Sequence, residues 1–353
     1  MKRDYIGELD MLRFLAALAV LIFHFAFRGA AADGLSPLLY TPIAGVAKYG
    51  YMGVDLFFMI SGFVIMMSAQ AESVGKFALS RLTRLYPALW ICCSATFLVI
   101  LLADTTRFPT SLQTYLINMT LLAGSTGTTF VDGSYWSLGV ELRFYVLVAI
   151  VILIGQIRNA EKFIYGWLLI AVITQFMPMP WIENKLIIKF TPYFVAGAIF
   201  YFIRQQGPTT LRCAAIIVSW LLALSRALAA RAEQVDHYAV THSEAVVCLM
   251  TTAFFLVFAA IALRLTGRLG MRRWPVLGAL TYPLYLIHQT IGYLFITALY
   301  PTVNQHVLFW STVALSLLVA YVISRYLERP LARALRVVLE TGARSIGRLA
   351  LRT

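Results

Sequence analysis

The sequence predicts an all-α, polytopic integral membrane protein with about ten transmembrane helices. Three observations predict it. Of the 353 residues 60% are hydrophobic and only 13% are charged, where soluble domains carry about a quarter charged. The apolar residues form continuous bilayer-length runs rather than alternating ones, so strands have no support. Lys and Arg crowd one set of alternate connections.

A helix needs about 20 apolar residues to cross the hydrocarbon. Runs at 9–28, 51–70, 86–104, 138–157, 163–178, 186–203, 211–229, 244–264, 276–298 and 305–327 are the candidate spans. Segment 112–124 is apolar but short, and is expected at the interface or re-entrant. With the N-terminus inside, 20 of the 29 Lys and Arg lie on the inner connections and tail, and 7 on the outer ones. Both termini are therefore expected in the cytoplasm. The net charge of +13 reads as topology and not as a nucleic-acid footprint.

Residues 1–330 read as one membrane domain. The tail 331–353, LARALRVVLETGARSIGRLALRT, reads as a basic amphipathic helix on an anionic inner leaflet or as a solvated segment. Ala30-Ala31-Ala32 resembles a signal cleavage site, but charges in the first run and nine further spans predict that the segment is retained. Cys92, Cys93, Cys213 and Cys248 all sit in apolar runs, and no spacing suggests a metal site.

Span one, ELDMLRFLAALAVLIFHF, holds Asp10, Arg13 and His24. Arg13 and His24 are almost three whole turns apart, hence on one stripe and roughly 16 Å apart along the axis. Asp10 can pair with Arg13. Ionisable groups inside a membrane are costly and tend to be functional. His24 falls in the outer part of its span, as do Glu141 of span four, His288 of span nine and Asp55 at the start of span two. Four such groups at one level suggest a wet cavity with a general base and a carboxylate partner. On the cytoplasmic side KFALSRLTRLYP places Lys76, Arg81 and Arg84 at the membrane surface, with Pro87 opening span three. Headgroup anchoring is one reading. Phosphate recognition is the other, since the Arg fork suits phosphate oxygens. Phosphate inside and a base outside fit an elongated ligand, such as an acyl thioester on a phosphorylated carrier.

Five motifs occur in order: ELDMLRFLAALAVLIFHF, GVDLFFMISGFVI, SRLTRLYP, GSYWSLGVELRFY and LTYPLYLIH. On these the chain resembles the membrane acyltransferase family usually called acyltransferase-3, over nearly its whole length. The resemblance implies transfer of an acyl group, most often acetyl, from cytoplasmic acyl-CoA to a hydroxyl of a cell-envelope or exported saccharide. It places the protein in the inner (plasma) membrane. It carries the Arg–His pair to Arg13 and His24 and the motif carboxylate to Glu141. Met11 and Phe14 stand where small residues are common.

The mechanism expected from these residues has Arg13, Arg81 and Arg84, with Lys76, at the acyl-CoA phosphates or pantetheine arm. His24 takes the acceptor proton, and Glu141 orients its imidazole. Trp136, Ser137 and Tyr145 shape the acceptor pocket. Ser137 or His24 as a covalent acyl carrier stays open. His288, with Tyr282 and Tyr285, lines the cavity or bonds structurally between helices. Asp55 caps span two, pairs with a cation or joins the acceptor site, and Asp10 holds Arg13. His237, His242 and His306 are expected in surface loops. Expected partners are membrane lipid, acyl-CoA, the saccharide and polysaccharide-assembly proteins. A transporter or flippase is the alternative, although no paired broken helices are visible.

Overall fold

The computed structural model describes residues 5–31, 34–69, 73–103, 106–267 and 274–350, with side chains to 342. The end of the Ala30–Ala32 triplet and residues 351–353 lie outside the described residues. Every regular element described is helical. Long apolar runs demand this, because a helix satisfies its own backbone where no water can.

The main helices are α1 Gly7–Phe23, α2 Thr41–Ala47, α3 Gly53–Ala69, α4 Val74–Ala103, α5 Leu112–Asn118 and α6 Ala123–Thr126. They continue as α7 Trp136–Leu153, α8 Ala160–Phe176, α9 Pro180–Lys185, α10 Thr191–Gln206 and α11 Thr210–Tyr238. The last are α12 Glu244–Ala262, α13 Pro275–Leu299, α14 Gln305–Val322 and α15 Arg329–Ala350. Among the described residues, seven segments are long and apolar enough to cross a membrane: Gly7–Arg28, Gly50–Ala69, Val74–Ala103, Gly133–Leu153, Thr210–Tyr238, Glu244–Ala262 and Gln305–Gly342.

The remaining three expected spans differ. α8 and α10 have 17 and 16 residues, about 25 Å of helix at 1.5 Å per residue. α13 has 25 residues but carries Tyr, Thr, His and Gln along its length. For α10 the reason is position in the bundle. Thr191 to Ile203 of α10 are all buried, so protein and not lipid surrounds it.

Small residues set the tightest crossing, between α3 and α10. A Cβ built on Gly197 would overlap the Met59 carbonyl oxygen, and one on Gly62 would overlap that of Phe194. Such close approach is how helices associate where the hydrophobic effect offers little. Gly197→Ala is therefore expected to cost about 1–3 kcal/mol, as overpacked cores do. A lowered melting temperature in detergent would show it, and an unchanged one would mean that the two helices separate freely.

One boundary is corrected. Pro87 does not open span three. It lies inside α4, which starts at Val74 and thus includes Arg81 and Arg84. The helix runs through because both sides of the proline are packed: Phe77 and Leu85 before it, Ala88 and Leu89 after it are buried. Residues 331–350 of the tail belong to α15, which follows α14 through a π-helical turn at Ile323–Glu328 and packs along α4. Segment 112–124 folds as the short α5 and α6. Asn118 holds it, donating to the carbonyls of Thr114 and Thr129 at 2.8 and 2.9 Å and accepting from the Val131 amide.

Candidate active site

Helices α1, α3, α4, α7 and α13 enclose a cavity of about 640 Å³. α7 presents Ser137, Glu141 and Tyr145, each four residues from the next and so on one face. α1 adds Asp10 and Arg13, and α4 adds Arg81 and Arg84. α3 contributes Phe57, Phe58 and Ser61, and α13 contributes Tyr282 and Tyr285. Arg13 Nη1 donates to Asp10 Oδ1 at 3.2 Å, and the Tyr5 hydroxyl donates to Asp10 Oδ2 at 2.9 Å. Arg84 pairs with Glu328 at 3.6 Å. The Arg81 guanidinium lies over the rings of Phe77 and Tyr145, 5.7 and 5.8 Å from their centroids. Its Nη2 donates to Ser80, while its buried Nε has no hydrogen-bond partner. A buried unpaired donor costs about 1–3 kcal/mol, so this arginine is poised for an acceptor that enters the cavity. Glu141 Oε1 accepts from the hydroxyls of Ser61 at 2.9 Å and Tyr145 at 2.6 Å.

Behind Tyr285 sits a pair of buried histidines. α1 ends in a π-helical turn, His24–Arg28, a distortion that recurs at functional sites because it re-aims side chains. His24 and His288 rings are 4.9 Å apart between centroids. The contacts assign every ring nitrogen. His288 Nδ1 faces only the carbonyl oxygens of Leu284 and Tyr285, at 3.1 and 2.9 Å, so it must carry the hydrogen. His24 Nδ1 lies 2.8 Å from the Val20 carbonyl and must also be N–H. It shares that hydrogen with His288 Nε2 at 3.1 Å, which is then a lone pair. Arg28 Nη1, which can only donate, lies 3.3 Å from His24 Nε2. That atom is a second lone pair. Both rings are neutral, and His24 presents a basic nitrogen whose opposite edge is fixed. The pair adjoins the cavity through Tyr285. Its ring packs on His288 at 5.8 Å, and its hydroxyl hydrogen-bonds Ser137 Oγ at 2.7 Å.

Residues 6–325 match the model of the family described as Acyltransferase domain. The chain belongs to that family. A protein of Bacillus subtilis (strain 168) that carries the provisional name peptidoglycan O-acetyltransferase YrhL is 25% identical over 171 residues. That match covers 43% of this chain and 24% of the relative, so the chain spans about a quarter of that protein's length. No solved structure matches.

Against this acyltransferase family frame, the structure brings Asp10, Arg13, Arg81, Arg84, Ser137, Glu141, Tyr145 and Tyr285 into one cavity, and joins His24 to His288 beside it. It separates the others. Glu141 does not orient His24: its hydrogen bonds go to Ser61 and Tyr145, and the partner of His24 Nδ1 is His288. Asp55 turns away from the cavity toward Tyr193 and Lys189. Trp136 is 36% exposed and packs on Phe58 and Phe190. Lys76 is exposed on α4, outside the cavity lining. His242 is no surface residue. It is buried between Phe27, Tyr49 and Tyr51 and faces the carbonyls of Val240 and Lys48.

Three participants escaped sequence reasoning. Arg28, one turn after His24, had a visible signal in that spacing. Ser61 was hidden in a motif that reads as packing. Asp132 accepts from the amides of Ser134 and Thr290, each at 2.9 Å, and from Ser134 Oγ at 2.6 Å. It ties the loop before α7 to α13, and its position two residues ahead of Ser134 is a capping signal.

Proposed function

We propose that the protein is a membrane O-acyltransferase that moves an acyl group, acetyl by preference, from cytoplasmic acyl-CoA to a hydroxyl of a cell-envelope or exported saccharide. It does so in the inner membrane with both termini in the cytoplasm. The observation that carries the reading is the juxtaposition of an arginine-lined cavity with a neutral histidine whose Nε2 is a lone pair. Family membership and the named acetyltransferase relative point the same way.

In this reading Arg13, Arg81 and Arg84 receive the phosphates or pantetheine arm, and the unpaired Nε of Arg81 gains its acceptor. Glu141, held by Ser61 and Tyr145, shapes the wall beneath Arg81. The thioester lies toward Ser137 and Tyr285, whose hydroxyls donate to its carbonyl oxygen as negative charge develops. The acceptor hydroxyl displaces Arg28 from His24 Nε2 and gives up its proton there. The new C–O bond forms, the C–S bond breaks, and the proton passes from His24 to the departing thiolate of CoA. His288 keeps His24 in the required tautomer throughout.

Purified protein given radiolabelled acetyl-CoA and an envelope saccharide should yield labelled saccharide. If no label moves while vesicles containing the protein take the saccharide up, transport replaces this reading. Arg81→Lys keeps the charge and loses the fork. It is expected to raise KM for acetyl-CoA about tenfold, one charge-assisted hydrogen bond's worth, with kcat little changed. An unaltered KM would remove Arg81 from the donor site.

A further inference from the structure

A second cavity, about 610 Å³, opens between α7 and α8 on the face of α7 that carries Phe144, Leu147 and Val151. This volume is that of an ordinary ligand pocket. Its walls are apolar, from Phe144, Leu147 and Val151 on α7 and Phe163, Trp167 and Ile170 on α8. Its polar lining residues, Gln156, Asn159 and Lys162, all come from the α7–α8 turn and the start of α8, so they mark one end. That turn also carries Arg158. Its acid, Glu161, is engaged elsewhere, accepting from Arg212 Nε and Nη2 at 2.7 and 2.9 Å. The cavity mouth is thus cationic. Ile150, Leu153, Ile154 and Phe163 beside it are exposed apolar residues. In a membrane protein such a surface meets hydrocarbon. Gly166 leaves part of the wall bare, and a Cβ there would meet nothing within 4 Å.

We propose that this groove seats one acyl chain of an anionic bilayer lipid, with the headgroup at Lys162 and Arg158. A slot that is apolar along its length and cationic at one end matches a lipid chain that ends in a phosphate without a compensating cation. A zwitterionic lipid fills the same walls but brings its own cation to a cationic mouth. The occupant also braces α7, because Phe144 lines this groove while the next residue, Tyr145, lines the arginine cavity. The proposal does not depend on acyl transfer.

The test is native mass spectrometry of the full chain released from nanodiscs of phosphatidylcholine with and without phosphatidylglycerol. The wild type should retain phosphatidylglycerol. Gly166→Phe fills the groove and should lose retained lipid, with circular dichroism and size-exclusion profile unchanged. Lys162→Glu, at an exposed position, should keep a bound chain but lose the preference for phosphatidylglycerol by about fivefold or more, the worth of one surface cation. Equal lipid retention by wild type and both variants would overturn the proposal. So would a lipid-free dimer that Gly166→Phe dissociates, since the groove would then belong to a second copy of the chain.

Discussion

His24→Ala is expected to lower acyl transfer by about 10²–10⁴-fold, the usual contribution of a general base, while acetyl-CoA binding stays near the wild-type level. The split follows from where the ring sits. The arginines that meet the donor line the cavity, whereas His24 contacts Val20, Arg28 and His288. Losing the imidazole removes the lone pair on Nε2 and leaves nothing equivalent in its place, because the lone pair of His288 lies on the far side of the ring, against Nδ1 at 3.1 Å. His24→Gln tests size against chemistry: it fills most of the volume, offers no base and should be as inactive as alanine. Transfer of label to saccharide and equilibrium binding of acetyl-CoA are the two measurements. Full activity in both variants would move the base elsewhere, and loss of donor binding would make His24 a donor contact. Wild-type protein exposed to labelled acetyl-CoA without acceptor should stay unlabelled. Label on the protein, lost in His24→Ala, would mean that the ring carries the acyl group itself.

The helical membrane character was legible because lipid leaves the backbone few choices. A run of 20 apolar residues in a chain this poor in charge reads one way. What stayed hidden depends on neighbours and not on composition. α10 is short because protein surrounds it, and only Gly62 and Gly197, which let α3 and α10 touch, foretell that. Pro87 reads as a helix start by local rules, yet packing on both sides carries α4 through it. The π-helical turns at His24–Arg28 and Ile323–Glu328 have no periodic signature at all.

The site divides along a similar line. Residues that share a face of one helix were legible, so Ser137, Glu141 and Tyr145 line a single cavity, as do Arg81 and Arg84. Counting residues along each helix gives an expected depth, the same for His24, His288, Glu141 and Asp55. Depth does not fix rotation about the helix axis. His24 and His288 turned toward each other, Glu141 toward Arg81's ring partner Tyr145, and Asp55 toward Tyr193. Azimuth is decided by which helices pack together. Spacing within one helix carries none of that information.

His288→Phe is expected to reduce kcat by about 10²-fold or more with KM for acetyl-CoA unchanged, since a triad loses far more when the group that fixes its base is wrong. The argument rests on one shared hydrogen. Val20 alone would hold His24 Nδ1–H from the backbone of its own helix, but a carbonyl one turn away restrains the ring only about that contact. His288, reaching across from α13 with its own Nδ1–H anchored to Leu284 and Tyr285, supplies the second direction. Phenylalanine keeps an aromatic ring in the space and removes the acceptor, so the imidazole is free to rotate or to place its hydrogen on Nε2, where it no longer accepts a proton. His288→Gln returns an acceptor oxygen at about the Nε2 position and should recover part of the lost kcat. A structural role for His288 predicts the opposite order of evidence: both variants would lose thermal stability together, and kcat of the folded fraction would match wild type. Nitrogen-15 NMR of the His24 ring decides between them, because the Nδ1–H form should dominate in wild type and in His288→Gln, and mix with the Nε2–H form in His288→Phe.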